Sequence, residues 1–373
     1  MKTSILRFLA FAFILYACNN TSEESEMFNQ EQPEIDMSDF YVYTDASADF
    51  SKTQTTNKSF TKSCGTMVNL NRLLSENPSL EKTMYDIEYN TRKFIAQNNF
   101  RPGKGGGGNG GGGTGGGGTG NGDITPWQDF AGNTIPVIFH VIYSSSSENI
   151  PDTQITQQII ALNEDFNANN PQNSNIPGVF SSLEANLGVN FELAGVIRKE
   201  SRKKSWRPDD TMKFTSSGGD DVIDPQHYLN IWVVNNMPYQ GGNILGYAQF
   251  PGGDWATDGI VLDRRFVGQT AYSTGRTATH EIGHWMNLRH IWGDGPCGYD
   301  DFVGDTPEAD SYNYGCPTYP GPESCGSYDM FMNFMDYTND DCMNLFTNGQ
   351  KARMAAIFNT SSSFRTEMGI AIN

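Results

Sequence analysis

The chain has 373 residues with 43 acidic and 25 basic side chains, so its formal net charge is −18. That balance excludes a protein that binds nucleic acid through a basic face. The 23 Phe, 16 Tyr and 6 Trp residues supply enough apolar surface for a core. With 37% apolar residues overall, the composition excludes a wholly disordered chain, a collagen or a polytopic membrane protein.

The N-terminus has the pattern of an export signal. Lys2 and Arg7 precede the apolar run FLAFAFILYA, which is too short to span a bilayer. The letters LYAC, ending at Cys18, resemble a bacterial lipobox and predict a signal peptide over residues 1–17 with acylation of Cys18; the alternative is a plain secretory signal. Residues 18–60 are polar and predict a flexible tether. Either interpretation places the mature protein outside the cytoplasm. The lipoprotein interpretation predicts an outer-membrane or cell-surface location, from which the protein could be shed.

Two segments separate this tether from the rest of the chain. Residues 61–102 contain a helical pattern in which Asn77 is the predicted cap and Pro78 the first helical residue. Its apolar face comprises Leu80, Met84, Ile87, Thr91 and Phe94. A unit of this size cannot form a core alone, so we expect it to pack against another part of the protein. Residues 103–122 hold 15 of the 40 glycines and predict a flexible linker.

Residues 123–373 have a globular composition and predict an α/β domain. The apolar runs that predict strands are Thr134–Tyr143, Val189–Val196, Tyr228–Val234, Leu245–Phe250 and Gly259–Asp263. A helix capped by Asp152 would place Ile155, Ile159, Leu162 and Phe166 on one face. The last helix is predicted to begin at a capping box formed by Thr347 and Gln350.

The segment TGRTATHEIGHWMNLRHIW has the spacing of a metal site. His280 and His284 lie one helical turn apart, so two imidazoles can share a zinc ion while Glu281 sits beside it. His290 follows six residues later, and a straight helix would point it elsewhere, so the chain must turn sharply after about Met286. Three histidines leave a fourth position open for water, which is typical of a catalytic zinc rather than a structural one.

The six cysteines divide into three groups. Cys18 is assigned to the lipid, and four others cluster in the last 80 residues, where three pairings remain open from the sequence. Cys64 is left over far upstream. Because a thiolate is a strong zinc ligand, Cys64 becomes a candidate partner for the histidine site.

The letters HEIGHWMNLRH resemble the metzincin signature H-E-x-x-H-x-x-G-x-x-H, with Asn287 in place of the glycine. Asparagine tolerates the left-handed conformation that such a turn needs. The flanking segments IPVIFHVIY, YLNIWVV, LGYAQFP, GDTP and MNFMDYT narrow the resemblance to the pappalysin family of metallopeptidases. That resemblance implies a metzincin-like α/β domain, with a twisted mixed sheet and helices above the cleft, an irregular disulfide-linked lower subdomain, and a small helical pro-segment upstream.

The resemblance also implies roles for particular residues. Glu281 would be the general base, Met335 the Met-turn residue below the metal, and Tyr337 a hydrogen-bond donor to the developing oxyanion. An edge strand within residues 244–262 would pair with extended substrate. The implied disulfides are Cys297–Cys325 and Cys316–Cys342.

Further implied features lie in the acidic C-terminal part. A calcium site would use Asp301, Thr306 and the backbone carbonyls of Asp300 and Val303; the alternative is a solvated acidic surface. Asp341 would form the floor of the pocket for the residue after the scissile bond and select Arg or Lys, the alternative being a surface aspartate as expected of Asp340.

The segment SCGT around Cys64 resembles the pro-segment cysteine motif of this family, whose thiolate occupies the open zinc position; the alternative is an unpaired or intermolecular thiol. The sequence thus predicts a zinc endopeptidase made as a zymogen, acting on polypeptides and contacting a membrane only through its lipid. A lipid-anchored binding module with a non-catalytic metal site is the alternative, and the oligomeric state is left open.

Overall fold

The structure is a computed structural model that describes residues 34–43, 63–98, 133–359 and 365. The signal peptide, Cys18, most of the tether and the glycine-rich linker lie outside these residues. None of the helices in the described part of the chain is both long and apolar enough to cross a bilayer.

A five-stranded mixed sheet forms the centre of the domain that follows the glycine-rich linker. The described residues form nine strands, which are in chain order β1 (Asn133–Tyr143), β2 (Val189–Glu200), β3 (Leu229–Val234), β4 (Met237–Tyr239), β5 (Gly242–Ile244), β6 (Gly246–Ala248), β7 (Ile260–Asp263), β8 (Glu323–Ser324) and β9 (Ser327–Tyr328). The central sheet has the order β2-β1-β3-β7-β6, in which β6 alone is antiparallel to its neighbour. The predicted α/β class is confirmed, and β6 is an edge strand within the expected region.

The strands at the centre of the sheet are apolar on both faces because both faces are covered. All six residues of β3 and eight consecutive residues of β1, from 135 to 142, are buried. Such a continuous apolar run is typical of parallel strands between two layers. The strand predictions are therefore correct in position, although β2 continues to Glu200, beyond the predicted end at Val196.

Five α-helices lie in the part of the chain that the structure describes: α1 (Thr66–Glu76), α2 (Ser79–Gln97), α3 (Asp152–Phe166), α4 (Arg276–Trp285) and α5 (Asn348–Asn359). The predicted helix starts need two corrections. Pro78 precedes α2 instead of being its first residue, and Asp152 is the first helical residue of α3, where Pro151 occupies the cap position. In both cases the preset φ of proline fixes the conformation just before the first turn. The capping box at α5 is confirmed, because the Gln350 amide donates to Thr347 Oγ1 (3.1 Å) and the Thr347 amide to Gln350 Oε1 (2.9 Å).

Helices α1 and α2 have no core of their own and pack against the domain that contains the central sheet. Met67, Leu70 and Leu74 of α1 join Leu80 and Met84 of α2 in a cluster that Phe250 of the domain completes. Helix α2 also contacts α5. The expectation that this small unit packs on another part of the protein is confirmed, and its position above β6 places it next to the histidine helix.

The chain after α4 is mostly irregular and is held by two disulfides. Cys297 is joined to Cys325 and Cys316 to Cys342, with Cα–Cα distances of 5.6 and 5.5 Å. These are the pairs that the family resemblance implied. Because the loops they close contain little regular structure, cross-links of this kind stabilise the region chiefly by restricting the unfolded chain.

Candidate active site

Helix α4 ends where the chain has to turn back toward the first two histidines. Asn287 has a φ of +74°, and its amide donates to the carbonyl of His284 (2.9 Å). The amide of Leu288 then donates to the carbonyl of Gly283 (2.9 Å), which closes the turn. Asparagine adopts this left-handed conformation more readily than most residues, so the turn forms without the glycine of the general signature.

The turn brings three imidazoles to one point. The Nε2 atoms of His280, His284 and His290 lie 3.2 Å apart in every pair. The opposite ring nitrogens, Nδ1, face the carbonyl oxygens of Phe334 (2.7 Å) and Leu288 (2.8 Å) for the first two histidines. Since a carbonyl only accepts hydrogen bonds, these Nδ1 atoms carry the protons and both Nε2 lone pairs point inward.

The third histidine is oriented by a carboxylate. His290 Nδ1 pairs with Asp294 Oδ1, and Asp294 is 5% exposed. Metal-ligating histidines usually make such a bond from the ring nitrogen that does not bind the metal. Sequence reasoning missed Asp294, although a carboxylate four residues after a candidate ligand is a signal that could have identified it.

These donors fit a zinc ion. Tetrahedral coordination with zinc–nitrogen bonds of about 2.0–2.1 Å puts the nitrogens about 3.4 Å apart, close to the separation in this structure. Burial lowers the pKa of His284 well below its ordinary value, and the neighbouring His290 and His280 lower it further. Imidazole lone pairs that converge on one point repel one another unless a cation lies between them, so the arrangement suits a divalent metal.

Glu281 lies beside the histidines on β6's side of the helix. Its side chain is almost fully buried, and a Cβ atom added at Gly246 would lie 2.9 Å from its Cγ atom. A glycine on the edge strand therefore leaves the space that the carboxylate occupies. Glu281 Oε2 accepts hydrogen bonds from Thr66 Oγ1 (2.8 Å) and Cys64 Sγ (3.3 Å), both in the upstream segment.

Met335 and Tyr337 lie beneath and beside the histidines. A Cβ atom at Gly283 would lie 2.4 Å from Met335 Sδ, so the glycine between the two helical histidines allows the methionine to pack under the helix. The ring of Tyr337 lies 5.7 Å from that of His280 and 5.0 Å from that of His290, measured between centroids. Both residues therefore lie next to the histidines, and their expected roles stay predictions.

A small cavity opens beside the histidines and Glu281. It is lined by Ser63, Cys64, Leu245, Thr277, His280, Glu281, Asp336 and Tyr337. Burial raises the pKa of Asp336 to about 7, opposed by hydrogen bonds from Asn313. Sequence reasoning missed Asp336 because its burial depends on packing between distant loops.

The segment around Cys64 occupies the edge of the sheet. The amide of Leu245 donates to the Ser63 carbonyl (3.0 Å), and the amide of Gly65 donates to the Gly246 carbonyl (2.9 Å), which makes the segment a short parallel addition to β6. The Cys64 sulfur and the ligating atoms of the three histidines lie within 4.8 Å of one another. The upstream segment therefore lies at the edge where substrate pairing is expected and brings a fourth metal-ligating atom.

The expected calcium loop is only partly assembled around a buried carboxylate. Thr306 Oγ1 lies 2.9 Å from both oxygens of Asp301 and 2.7 Å from the carbonyl of Val303. The Asp300 carbonyl accepts a hydrogen bond from Tyr41 Oη instead (2.8 Å). Burial raises the pKa of Asp301 well above its ordinary value, and the charge of Asp300 adds to that rise.

The two adjacent aspartates before Cys342 differ from expectation. Asp341 is exposed and does not line the cavity described above, whereas Asp340 is buried. Asp340 Oδ2 accepts hydrogen bonds from Ser273 Oγ (2.7 Å) and the amides of Thr274 (2.8 Å) and Arg276 (3.2 Å). The expectation that Asp340 is a surface residue is wrong, because the unpaired amides at the start of α4 hold its carboxylate. The pocket role of Asp341 stays a prediction.

Comparison with known proteins identifies relatives of the part of the chain that contains the three histidines. The family model Peptidase_M43, described as "Pregnancy-associated plasma protein-A", matches residues 216–359. An extracellular metalloprotease of Arthroderma benhamiae is 33% identical over 237 residues, covering 60% of this chain and 77% of the relative. Extracellular metalloprotease 1 of Coccidioides posadasii is 34% identical over 241 residues, covering 60% and 76%.

Two solved structures from Tannerella forsythia are similar to this fold. Mature mirolysin in complex with a cleaved peptide is 42% identical with a TM-score of 0.60, and the match covers 64% of this chain and 96% of that one. A mutant of promirolysin is 34% identical with a TM-score of 0.67, covering 82% and 97%. The longer match to the pro-form includes a pro-segment, and the family implies a catalytic zinc. The chain belongs to the pappalysin family of metzincin metallopeptidases and is a metalloendopeptidase.

Proposed function

We propose that this chain is the zymogen of an exported zinc endopeptidase in which His280, His284 and His290 hold the metal. The observation that supports this most strongly is the convergence of the three Nε2 atoms at 3.2 Å separations. When bound, zinc acts as a Lewis acid that acidifies water and polarises the scissile carbonyl. The remaining chemistry belongs to side chains of this chain.

Glu281 is the proposed general base. Its carboxylate accepts a proton from the attacking water and returns it to the nitrogen of the leaving amine, so that one group serves both halves of the reaction. Tyr337, whose ring lies 5.0 Å from that of His290, would donate a hydrogen bond to the oxygen that becomes negative in the transition state. Extended substrate would pair with β6, which gives main-chain affinity with little demand on sequence.

Latency is proposed to depend on Cys64 in the segment 61–102. Its thiolate sulfur would complete the zinc coordination and exclude water, while the hydroxyl group of Thr66 donates to Glu281 and so engages the general base. Substrate is excluded as well, because Ser63 and Gly65 already pair with the edge strand. Cleavage in the linker 103–122, before the catalytic domain 123–373, would end the covalent connection, and departure of the pro-segment would then remove all three blocks.

Three further assignments are part of this proposal. Calcium would bind the loop of Asp301, Thr306 and the carbonyls of Asp300 and Val303, and Asp341 would favour Arg or Lys after the scissile bond. The relatives named extracellular metalloproteases support export, and acylation of Cys18 after removal of residues 1–17 would anchor the mature tether.

Cleavage of a peptide library by the processed enzyme tests the activity and the preference together. We expect internal cuts before Arg or Lys, identified by mass spectrometry, and loss of all cuts with a zinc chelator that added zinc reverses. In the Asp341→Asn variant the preference should weaken about tenfold, because the uncharged amide cannot form an ion pair with the cationic side chain of the substrate. Cleavage that persists in excess chelator would contradict the zinc mechanism, and an unchanged preference would contradict the role of Asp341 alone.

A further inference from the structure

A buried ion pair joins the pro-segment to the catalytic domain. Its pro-segment member lies in α2, whereas Cys64 precedes α1. Glu88 of α2 and Arg353 of α5 are each 2% exposed. Arg353 Nη1 donates to Glu88 Oε1 (3.0 Å), and Arg353 Nη2 pairs with Glu88 Oε2, so the contact is bidentate. Two parallel charge-assisted hydrogen bonds make this ion pair stronger and more specific in geometry than a pair with a single hydrogen bond.

Arg353 also connects this contact to the zinc-binding turn. Its Nε atom donates to the carbonyl of Asn287 (2.9 Å), the residue with positive φ between His284 and His290. One guanidinium therefore contacts the pro-segment with one edge and the turn that presents the third histidine with the other. The Asn287 contact belongs to the catalytic domain alone and fixes the orientation of the guanidinium.

A second arginine lies beside the first. Arg289 is 4% exposed and donates from Nη2 to the Tyr41 carbonyl (2.5 Å), while its Nη1 atom has no acceptor among the described residues. The guanidinium carbons of Arg289 and Arg353 lie 5.0 and 5.5 Å from the ring centroid of Phe302. Two buried guanidinium groups on one aromatic ring, one with an unpartnered N–H group, make a site that favours an anion.

The charge state of Glu88 agrees with this arrangement. Burial alone raises the pKa of its carboxyl, but the Arg353 and Arg92 guanidinium groups outweigh burial and hold the pKa below its ordinary value. Glu88 is thus a carboxylate when bound. Without it, the Arg353 guanidinium group would lose its acidic partner in α2.

We propose that Arg289 and Arg353 form a carboxylate-binding site on the catalytic domain, and that the pro-segment uses it to remain bound, and to rebind, after the linker is cut. This inference rests on the proposed zymogen. Processing and release are then separate steps. The cut breaks the covalent connection, while the Glu88 carboxylate keeps α2 bound to Arg353 beside the zinc-binding turn. A free carboxylate at high concentration would compete for the same two guanidinium groups.

The test uses the full chain with a cleavage site for a sequence-specific protease placed in the linker, in a Glu281→Gln background that prevents self-digestion. After the cut, dilution with size-exclusion detection gives the dissociation constant of the pro-segment. We expect Glu88→Gln to raise this constant about 30-fold or more, because one partner of a buried charge pair is lost. Asp86→Asn is the matched control, since Asp86 is exposed and pairs only with Lys82 of its own helix among the contacts described; it should change the constant less than about twofold.

Three further measurements accompany the comparison of Glu88→Gln with its control: a second Glu88 variant, competition by acetate, and a Cys64 variant. Glu88→Asp, which withdraws the carboxylate by one methylene group, should give an intermediate effect and serves if the glutamine variant does not fold. Sodium acetate should weaken the unsubstituted complex more than sodium chloride at equal ionic strength, and this difference should vanish in Glu88→Gln. A dissociation constant for Glu88→Gln within twofold of the control would overturn the proposal. Cys64→Ala in the same chain reports on the thiol separately, so failure of either idea leaves the other measurable.

Discussion

Replacing Glu281 by glutamine is expected to lower kcat/KM of the processed enzyme about 10³-fold, the range in which a positioned general base contributes. Glutamine has nearly the same shape but no basic carboxylate, so it cannot accept the proton of the attacking water. The three histidines are unchanged, and the metal should remain bound. Hydrolysis of a peptide that the unsubstituted enzyme cuts, followed together with zinc content, measures both quantities in one preparation.

Glu192→Gln is the matched control for this substitution. Glu192 is exposed on β2, at the opposite edge of the sheet from β6, so its loss should leave kcat/KM unchanged within about twofold. If Glu281→Gln retained more than a tenth of the activity with its zinc in place, another group would have to be the base. If it lost activity and zinc together, the result would indicate a structural role.

Cys64→Ala is expected to raise the activity of the unprocessed chain by about 10- to 100-fold. Four-ligand zinc sites gain about 10–16 kcal/mol in total, so loss of one ligand is worth about 3 kcal/mol, or about 10²-fold in the fraction of open sites. The gain should stop short of the processed enzyme's activity, because Ser63 and Gly65 still pair with β6. A chain whose linker resists cleavage, assayed on a short fluorogenic peptide, gives the comparison.

Processing supplies the control for the cysteine variant. Once the pro-segment has been cut and removed, the unsubstituted and Cys64→Ala chains yield the same catalytic domain and should have equal activity. An unprocessed Cys64→Ala chain as inactive as the unsubstituted one would show that the thiol does not limit access to the zinc. Latency would then rest on the occupied edge strand and on the contacts of α2.

The sequence was most informative where function depends on residues close together in the chain. The spacing of His280, His284 and His290 predicts both the shared face of α4 and the sharp turn, and the positive φ of Asn287 agrees with that prediction. The capping box of Thr347 and Gln350 is of the same kind, since both hydrogen bonds join residues three apart. Local geometry is fixed by a few dihedral angles, so a short motif is enough to specify it.

Contacts between distant segments were beyond sequence reasoning. Asp340 and Asp341 are chemically identical neighbours, and only the position of the N-terminus of α4 determines which is buried. The pairing of Glu88 with Arg353 joins residues 265 positions apart, and no periodicity within α2 distinguishes Glu88 from the exposed acids of that helix. Burial of a charge depends on where a partner charge lies in the fold, which composition and spacing do not encode.

The contacts of the pro-segment converge, directly or through Arg353, on the stretch from Glu281 to Asn287, which also carries the proposed general base. Cys64 and Thr66 contact Glu281, and Arg353 holds the carbonyl of Asn287 while it binds Glu88. The pro-segment therefore engages the zinc-binding unit from the cleft and from behind its turn. Release from only one side would leave the other contact in place, which makes partial activation an expected intermediate.

The most direct test of the account is zinc X-ray absorption spectroscopy on the full chain before and after processing. We predict one zinc per chain with three imidazole nitrogens at about 2.0–2.1 Å and one sulfur at about 2.3 Å in the unprocessed chain. After removal of the pro-segment, the sulfur contribution should disappear while the three nitrogens remain. A chain that binds no zinc in zinc-replete buffer, or a site with fewer than three imidazoles, would contradict the central claim that His280, His284 and His290 form the catalytic metal site.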